Sequence, residues 1–164
     1  MGDIFDTKLL IIGGGVTNDS LITQKEIADF IEEKNLNSKI ELLGQVPYDK
    51  IEYYYKLIDI ICLPRINSEV CNIVAPLKPF EAMIYGKIVF CSSVDALKEI
   101  VIDNYNGILF EKDNLSDLVI KIKEIIEKKY DLNLIQKNSY EYIKNKTWSK
   151  NLSDVITLCQ NILI

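Results

Sequence analysis

Short continuous apolar runs recur along the chain, and longer stretches with helical spacing of apolar positions separate them. Apolar runs that do not alternate with polar residues indicate strands buried on both faces of a parallel sheet. The predicted strands are residues 8–12, 39–43, 59–63, 87–91 and 107–110. The predicted helices are residues 18–34, 47–57, 79–86, 96–102, 115–129, 132–146 and 148–162.

This alternation of strands and helices predicts an α/β fold with a doubly wound, Rossmann-like parallel sheet and additional C-terminal helices. No internal repeat and no low-complexity linker interrupts the pattern. Ligands of such folds bind in the crevice at the carboxyl ends of the strands. The loops that follow the predicted strands are therefore where we look for functional residues.

The connection after the third strand, residues 65–77, is longer than the roughly 2–6 residues usual between a strand and a helix. Lys78 follows it, at a helix start where the positive end of the dipole disfavours a cation. Such a helix end binds phosphate through free N–H groups, and a bound anion would make Lys78 and Arg65 favourable. Pairing of Lys78 with Glu81, three residues later, is the structural alternative.

Three glycines at positions 13–15 follow the first strand and precede a helix. The dinucleotide pattern G-x-G-x-x-G is incomplete, because position 18 is Asn. A tight turn and an anion-binding loop both fit these glycines. A nucleotide-dependent oxidoreductase would also need an acidic residue at the end of the next strand, whereas Glu32 and Glu33 lie inside the predicted helix.

Composition fits one soluble domain, because 48% of the 164 residues are apolar and no apolar run approaches the ~20 residues of a membrane span. The net charge of −5 argues against nucleic acid as a partner. The chain contains no histidine, which excludes Ser-His and Cys-His nucleophiles and disfavours zinc. Cys62 and Cys91 lie in apolar runs and are expected to be buried, reduced thiols. Because no secretory signal is recognisable either, we expect a cytoplasmic location, or one at the inner face of the membrane.

Five segments in order resemble the C-terminal domain of glycosyltransferase group 1 enzymes, the retaining GT-B transferases of family four. They are LLIIGGG, IELLGQVPYDKIEYYYKLIDIICLP, PLKPFEAMIYGKIVFCSS, LKEIVIDNYNGILFEKDN and TW. The resemblance implies that residues 1–164 are a single nucleotide-sugar-binding domain. By comparison with that family, the N-terminal acceptor domain and the first strand of this domain's own sheet are absent.

The resemblance also assigns roles to individual residues. Leu77 and Lys78 match positions whose amides reach the donor diphosphate, with Arg65 as a further candidate. Glu81 matches the second Glu of the family's E-x7-E motif, which binds the ribose. The expected base contacts are Gly44, Gln45 and Val46, and the expected sugar-pocket residues are Ile73, Val74, Ala75 and Pro76.

The chain departs from the family pattern at the sugar pocket. Ile73 stands where the family often has its first Glu, and Pro76 has no N–H where glycines often lie. No catalytic nucleophile or base is identifiable. Lys78 is expected to substitute electrostatically for the missing carboxylate.

The resemblance implies transfer of a hexose-type sugar from a UDP- or GDP-linked donor to a saccharide or lipid-linked acceptor, in cell-surface glycan synthesis. No metal or other cofactor is expected. The partner would be the missing N-terminal GT-B domain or a separate subunit, which could bring peripheral membrane association, and the isolated chain would be inactive. The alternative is a non-catalytic or split-enzyme subunit that binds a nucleotide sugar or another chain.

Overall fold

The computed structural model describes residues 7–15, 17–144 and 146–162, in which parallel strands alternate with helices. The strands of this part of the chain are β1 Leu9–Ile12, β2 Ile40–Gly44, β3 Ile60–Leu63, β4 Ile88–Ser92 and β5 Ile108–Phe110. The helices are α1 Asn18–Glu33, α2 Tyr48–Leu57, α3 Glu69–Ile73, α4 Lys78–Ile84, α5 Asp95–Lys98, α6 Leu115–Ile126, α7 Leu132–Lys144 and α8 Trp148–Ile162. None of these helices is long and apolar enough to cross a membrane.

The strands pair in two separate parallel sets, one of β1 and β2 and one in the order β3-β4-β5. The chain divides accordingly into two compact units, residues 1–54 and residues 55–164. All five predicted strands are present within one residue of their predicted bounds. The predicted alternation of parallel strands and helices is thus confirmed.

The first unit is built on the β1–β2 pair and helix α1. Thr17 caps α1 by accepting a hydrogen bond from the Ser20 N–H. Most apolar side chains of this unit keep some exposure, and Ile31 of α1 is the buried apolar residue within its described part. The apolar side chains of this unit are thus mostly half-buried rather than fully buried.

The second unit is organised around β4, whose five residues are all buried. Phe90 of β4 packs against Phe110 of β5 with ring centroids 4.8 Å apart. The core around these rings also contains Ile88, Ile108, Ile125 and Ile135. Because β4 lies between β3 and β5 and both its faces are covered, its first four residues, IVFC, form an unbroken apolar run.

Several helix ends differ from the predicted bounds for identifiable reasons. Helix α6 ends at Ile126 because Lys128 has a φ of 58° and the Lys129 N–H donates to the Glu124 carbonyl at 3.0 Å, as in a Schellman motif. Helix α5 ends at Lys98, before the predicted residue 102. Beyond it, the buried Asn106 side chain accepts from the Ile102 N–H at 2.7 Å and so replaces a helical partner.

The prediction of two buried thiols is half correct. Cys91 is fully buried in β4, whereas Cys62 is exposed. Cys62 lines the cavity that opens near the end of β3, which accounts for its exposure.

Candidate functional site

A cavity of about 550 Å³ opens in the second unit where β3 ends. It is lined by Cys62, Leu63, Pro64, Arg65, Pro76, Leu77 and Lys78. The three residues predicted to contact a diphosphate, Arg65, Leu77 and Lys78, therefore line one cavity. Arg65 lies at the start of the long connection and Leu77 and Lys78 lie at its end, and the fold brings these two ends together.

Hydrogen bonds at both ends of this connection fix the position of Arg65. The buried Ser92 at the end of β4 donates from its hydroxyl to the Arg65 carbonyl at 2.7 Å. The Arg65 guanidinium donates from Nη1 to the Val74 carbonyl at 2.8 Å. Arg65 thus closes the loop upon itself and keeps its remaining N–H groups for other acceptors.

The connection contains a short helix, α3, that the sequence analysis did not predict. Ser68 caps it by accepting from the Cys71 N–H at 3.3 Å, and the sequence Ser68-Glu69 was the available signal. Asn72 then ties α3 to the rest of the unit. Its Oδ1 accepts from the Asp95 N–H at 3.1 Å and from Lys112 Nζ at 3.4 Å.

Lys78 is the first residue of α4 and is followed by Pro79, as predicted for a helix start. The helix has seven residues, and Leu77 at its N-cap makes no side-chain capping bond. The first-turn N–H groups are thus not capped by a side chain. Lys78 is exposed, and the ion pairs among the described residues do not join it to Glu81.

Glu81 lies one turn into α4, and its partner is a tyrosine that the sequence analysis did not single out. Tyr55 Oη donates to Glu81 Oε2 at 2.8 Å. Tyr55 is only 7% exposed and its ring stacks on Tyr85, with centroids 5.0 Å apart and planes 9° apart. Burial, together with the neighbouring Glu81 carboxylate, raises the pKa of Tyr55 far above its ordinary value, so its hydroxyl remains a donor.

The predicted sugar-pocket residues do not all lie in the cavity. Pro76 lines it, whereas Ile73 ends α3 and is 71% exposed. Val74 and Ala75 follow as exposed residues, and the Val74 carbonyl is bound by Arg65. These three residues present an apolar surface beside the cavity-lining segment.

The predicted base contacts belong to the first unit. Gly44 is the last residue of β2 and has a φ of 65°, a conformation that glycine adopts readily. Its carbonyl accepts from the Gly13 N–H at 2.8 Å. Gln45 donates from Nε2 to the Gly14 carbonyl at 2.8 Å. The turn of residues 44–46 is thereby fixed against the glycine loop.

That glycine loop is engaged by side chains of its own unit. The Ser20 hydroxyl accepts from the Gly15 N–H, and Gln24 Nε2 donates to the Gly15 carbonyl at 3.3 Å. A Cβ atom added at Gly14 would lie 2.7 Å from the Gln24 side chain. These contacts favour the tight strand-to-helix turn over an anion-binding loop, and they weaken the oxidoreductase interpretation.

Comparison with known proteins adds to this geometry. Residues 4–146 match the family described as glycosyl transferases group 1. An uncharacterized glycosyltransferase of Methanocaldococcus jannaschii, MJ1178, is 36% identical over 126 residues, which cover 77% of this chain and 34% of the relative. A glycosyltransferase from Rickettsia africae gives a TM-score of 0.76 at 21% identity, over 98% of this chain and 41% of that one. Anabaena HepE in complex with UDP-glucose gives 0.75 at 20% identity, over 93% and 41%.

The structural likenesses confirm the predicted α/β fold of the GT-B type. The chain spans about a third of the length of the curated relatives that it matches, so activity of the whole protein is a separate question. The match to the family nevertheless covers most of the sequence, including every residue predicted to bind a ligand. The chain belongs to the glycosyl transferases group 1 family.

Proposed function

We propose that this chain binds the nucleotide diphosphate of a UDP- or GDP-linked sugar and forms the donor side of a retaining glycosyltransferase. The observation that carries the proposal is the meeting of Lys78, Arg65 and the uncapped start of α4 on one cavity at the end of β3. Two cationic side chains and backbone N–H groups are the groups that bind phosphate oxygens. HepE, which shares the fold, has been solved with UDP-glucose bound.

The chemistry follows from where charge develops. When the bond between the sugar's anomeric carbon and the diphosphate breaks, negative charge accumulates on the leaving diphosphate. Lys78, Arg65 and the α4 amides would stabilise that charge without a metal, and the stabilisation grows as the transition state is reached. Glu81 would accept hydrogen bonds from ribose hydroxyls and so place the donor against these cations.

The acceptor side would come from a part of the protein that this sequence does not include. The segment that matches this chain covers only about a third of each relative. We expect a hexose-type sugar to pass to a saccharide or lipid-linked acceptor during cell-surface glycan synthesis, in the cytoplasm or at the inner membrane face. This chain alone should transfer no sugar.

Calorimetric titration of the chain with UDP and with GDP tests the proposal. We expect one of them to bind, and Lys78→Ala to weaken binding by about ten-fold or more, as for loss of a hydrogen bond to a charged group. Lys137→Ala, which removes an equal charge from an exposed position on α7, is the matched control. Equal affinities of the two variants would contradict a role for Lys78.

Arg65→Ala should behave differently from Lys78→Ala, because Arg65 also holds the Val74 carbonyl. We expect a loss of nucleotide affinity together with a loss of about 0.5–1.5 kcal/mol of folding free energy, measured by urea unfolding. Lys78→Ala should leave folding within about 0.5 kcal/mol of the parent.

A non-catalytic or split-enzyme subunit is the second candidate function. Ile73, in the place where the family often has a carboxylate near the transferred sugar, is 71% exposed and apolar, as a protein-binding surface would be. Binding of neither UDP nor GDP by a chain that circular dichroism shows to be folded would favour this candidate.

A further inference from the structure

The hydrogen bond between Tyr55 and Glu81 joins two helices, and its donor is a buried side chain. Tyr55 lies in the last turn of α2, and Glu81 lies in the middle of α4, 26 residues later. The Tyr55 ring is buried and nearly parallel to Tyr85, so its hydroxyl cannot move away from the carboxylate. One oxygen of Glu81 is therefore fixed by a rigid donor.

The other oxygen of that carboxylate has a different environment. Oε2 accepts from Tyr55, and the hydrogen bonds among the described residues give Oε1 no protein donor. Glu81 is half-buried, and its side chain has three rotatable bonds. Without a fixed contact, the carboxylate would occupy several rotamers, of which only some face a ligand. A fixed Oε2 aims Oε1 in one direction before any ligand arrives.

We propose that Tyr55 is a positioning residue, which holds the Glu81 carboxylate in the orientation that accepts hydrogen bonds from the donor ribose. The inference rests on the proposed function, since it deepens the role of Glu81 in that site. Tyr55 itself does not touch the nucleotide. Its effect is on how well the site distinguishes a ribose from a sugar that lacks the hydroxyls.

The strongest competing explanation is a purely structural bond between α2 and α4. Such a bond would affect stability, and through it all ligands equally. A positioning role instead predicts a selective loss, because only ligands with ribose hydroxyls use the aimed carboxylate. The raised pKa of Tyr55 is consistent with a donor that stays protonated throughout the pH range of the experiment.

The experiment compares two ligands with each of three proteins, using calorimetry at pH 7.5. The ligands are UDP and 2′,3′-dideoxyuridine 5′-diphosphate, with the guanosine pair used in parallel. The proteins are the parent chain, Tyr55→Phe and Tyr53→Phe. The Tyr55→Phe variant keeps the ring that stacks on Tyr85, and Tyr53 is a 62% exposed tyrosine of the same helix, which makes it the matched control.

We expect the parent and Tyr53→Phe to prefer the ribonucleotide by at least about ten-fold, as for hydrogen bonds to a carboxylate. In Tyr55→Phe this preference should fall to about two- or three-fold, with affinity for the dideoxy ligand unchanged. In a Glu81→Gln background, adding Tyr55→Phe should cause no further loss of preference, because Tyr55 acts only through the Glu81 carboxylate. Thermal unfolding of each variant verifies that it is folded.

The remaining outcomes separate the two proposals. An unchanged preference in Tyr55→Phe, or an equal loss of affinity for both ligands, overturns the positioning role and leaves the proposed function standing. Binding by the parent without any ribose preference overturns the ribose role of Glu81 and that of Tyr55 together, while diphosphate binding survives. Binding of neither nucleotide by the folded parent overturns the proposed function, and the inference falls with it.

Discussion

Individual residues of the site differ in what the fold requires of them. Arg65 is needed by the loop, because it binds the Val74 carbonyl, and Tyr55 is needed by α4, because it binds Glu81. Lys78 is the opposite case. It is exposed and begins a helix, a position where a cation is unfavourable without an anion nearby. Folding therefore does not require Lys78 at this position, whereas the proposed diphosphate ligand would.

Two buried acids of the second unit should make the protein sensitive to alkaline pH. Burial raises the pKa of the Cys91 thiol from 9.0 to about 12, and burial beside Glu81 raises that of Tyr55 above 10.0. The unfolded chain loses these protons first. Each group thus adds stability that is fully present below its unfolded pKa and is lost as pH rises toward its folded pKa.

We therefore expect the free energy of unfolding to fall as pH rises above 9 for Cys91 and above 10 for Tyr55, by up to about 1.4 kcal/mol per pH unit for each group. Urea titrations at four pH values measure this fall. Tyr55→Phe should remove the part above pH 10, and Cys91→Ala the part that starts above pH 9. Lysines titrate in the same range, so the informative quantity is the difference in slope between variant and parent. Parallel curves would mean that these groups ionise equally in both states.

At the scale of elements, the sequence predicted those strands and helices whose apolar pattern follows directly from local burial. The run at β4 is apolar because the strand is covered on both faces, so its bounds could be predicted to within one residue. Helix α3 was not predicted, because five residues are too few to show a periodic apolar pattern. Its Ser68 cap and the hydrogen bonds of Asn72 stabilise it instead. The sequence did not indicate a role for Tyr55, because only the tertiary structure brings its hydroxyl to Glu81.

The resemblance to a family supplied the parts of the site that local patterns could not. It added Leu77 to Lys78 and Arg65, which the long loop and the helix start had already indicated, and these three residues line one cavity. It also grouped Ile73 with Pro76. Pro76 lines the cavity, whereas Ile73 ends α3 with an exposed side chain, and the role of both in binding a sugar stays a prediction. A motif specifies spacing along the chain, whereas the local backbone, here the end of α3, decides which side chains face a cavity.

Asn72 should control the order of α3. Its side-chain Nδ2 donates to Asn67 Oδ1 at 2.8 Å, and its side-chain Oδ1 accepts from the Asp95 N–H and from Lys112 Nζ. We expect Asn72→Ala to increase amide hydrogen exchange in α3 by about ten-fold, as for loss of one or two net hydrogen bonds. β4 should be unaffected.

Asn133→Ala, an exposed asparagine in α7, is the control for the loss of a side-chain amide. Exchange measured by mass spectrometry on peptides that cover α3 gives the comparison directly. An unchanged rate in Asn72→Ala would mean that the Ser68 cap and local turns hold the helix without this tether.

At the scale of the whole molecule, the two units differ in how completely their apolar side chains are buried. Among the described residues of the first unit, Ile31 is the buried apolar side chain, whereas the second unit contains the cluster around Phe90 and Phe110. Both units nevertheless contain a comparable parallel pair, β1 with β2 and β3 with β4. These pairs allow backbone hydrogen bonding to be separated from burial.

We expect the amides of β1 and β2 to exchange at least about a hundred-fold faster than those of β3 and β4, because hydrophobic burial sets the free energy of local opening. Hydrogen exchange followed by mass spectrometry at neutral pH measures both pairs in one sample. Strand length and pairing type are nearly matched, so a large difference would assign the stability of this chain to the core of residues 55–164. Equal protection would instead show that residues 1–54 open only when the whole chain unfolds, and the two units would then be one cooperative structure.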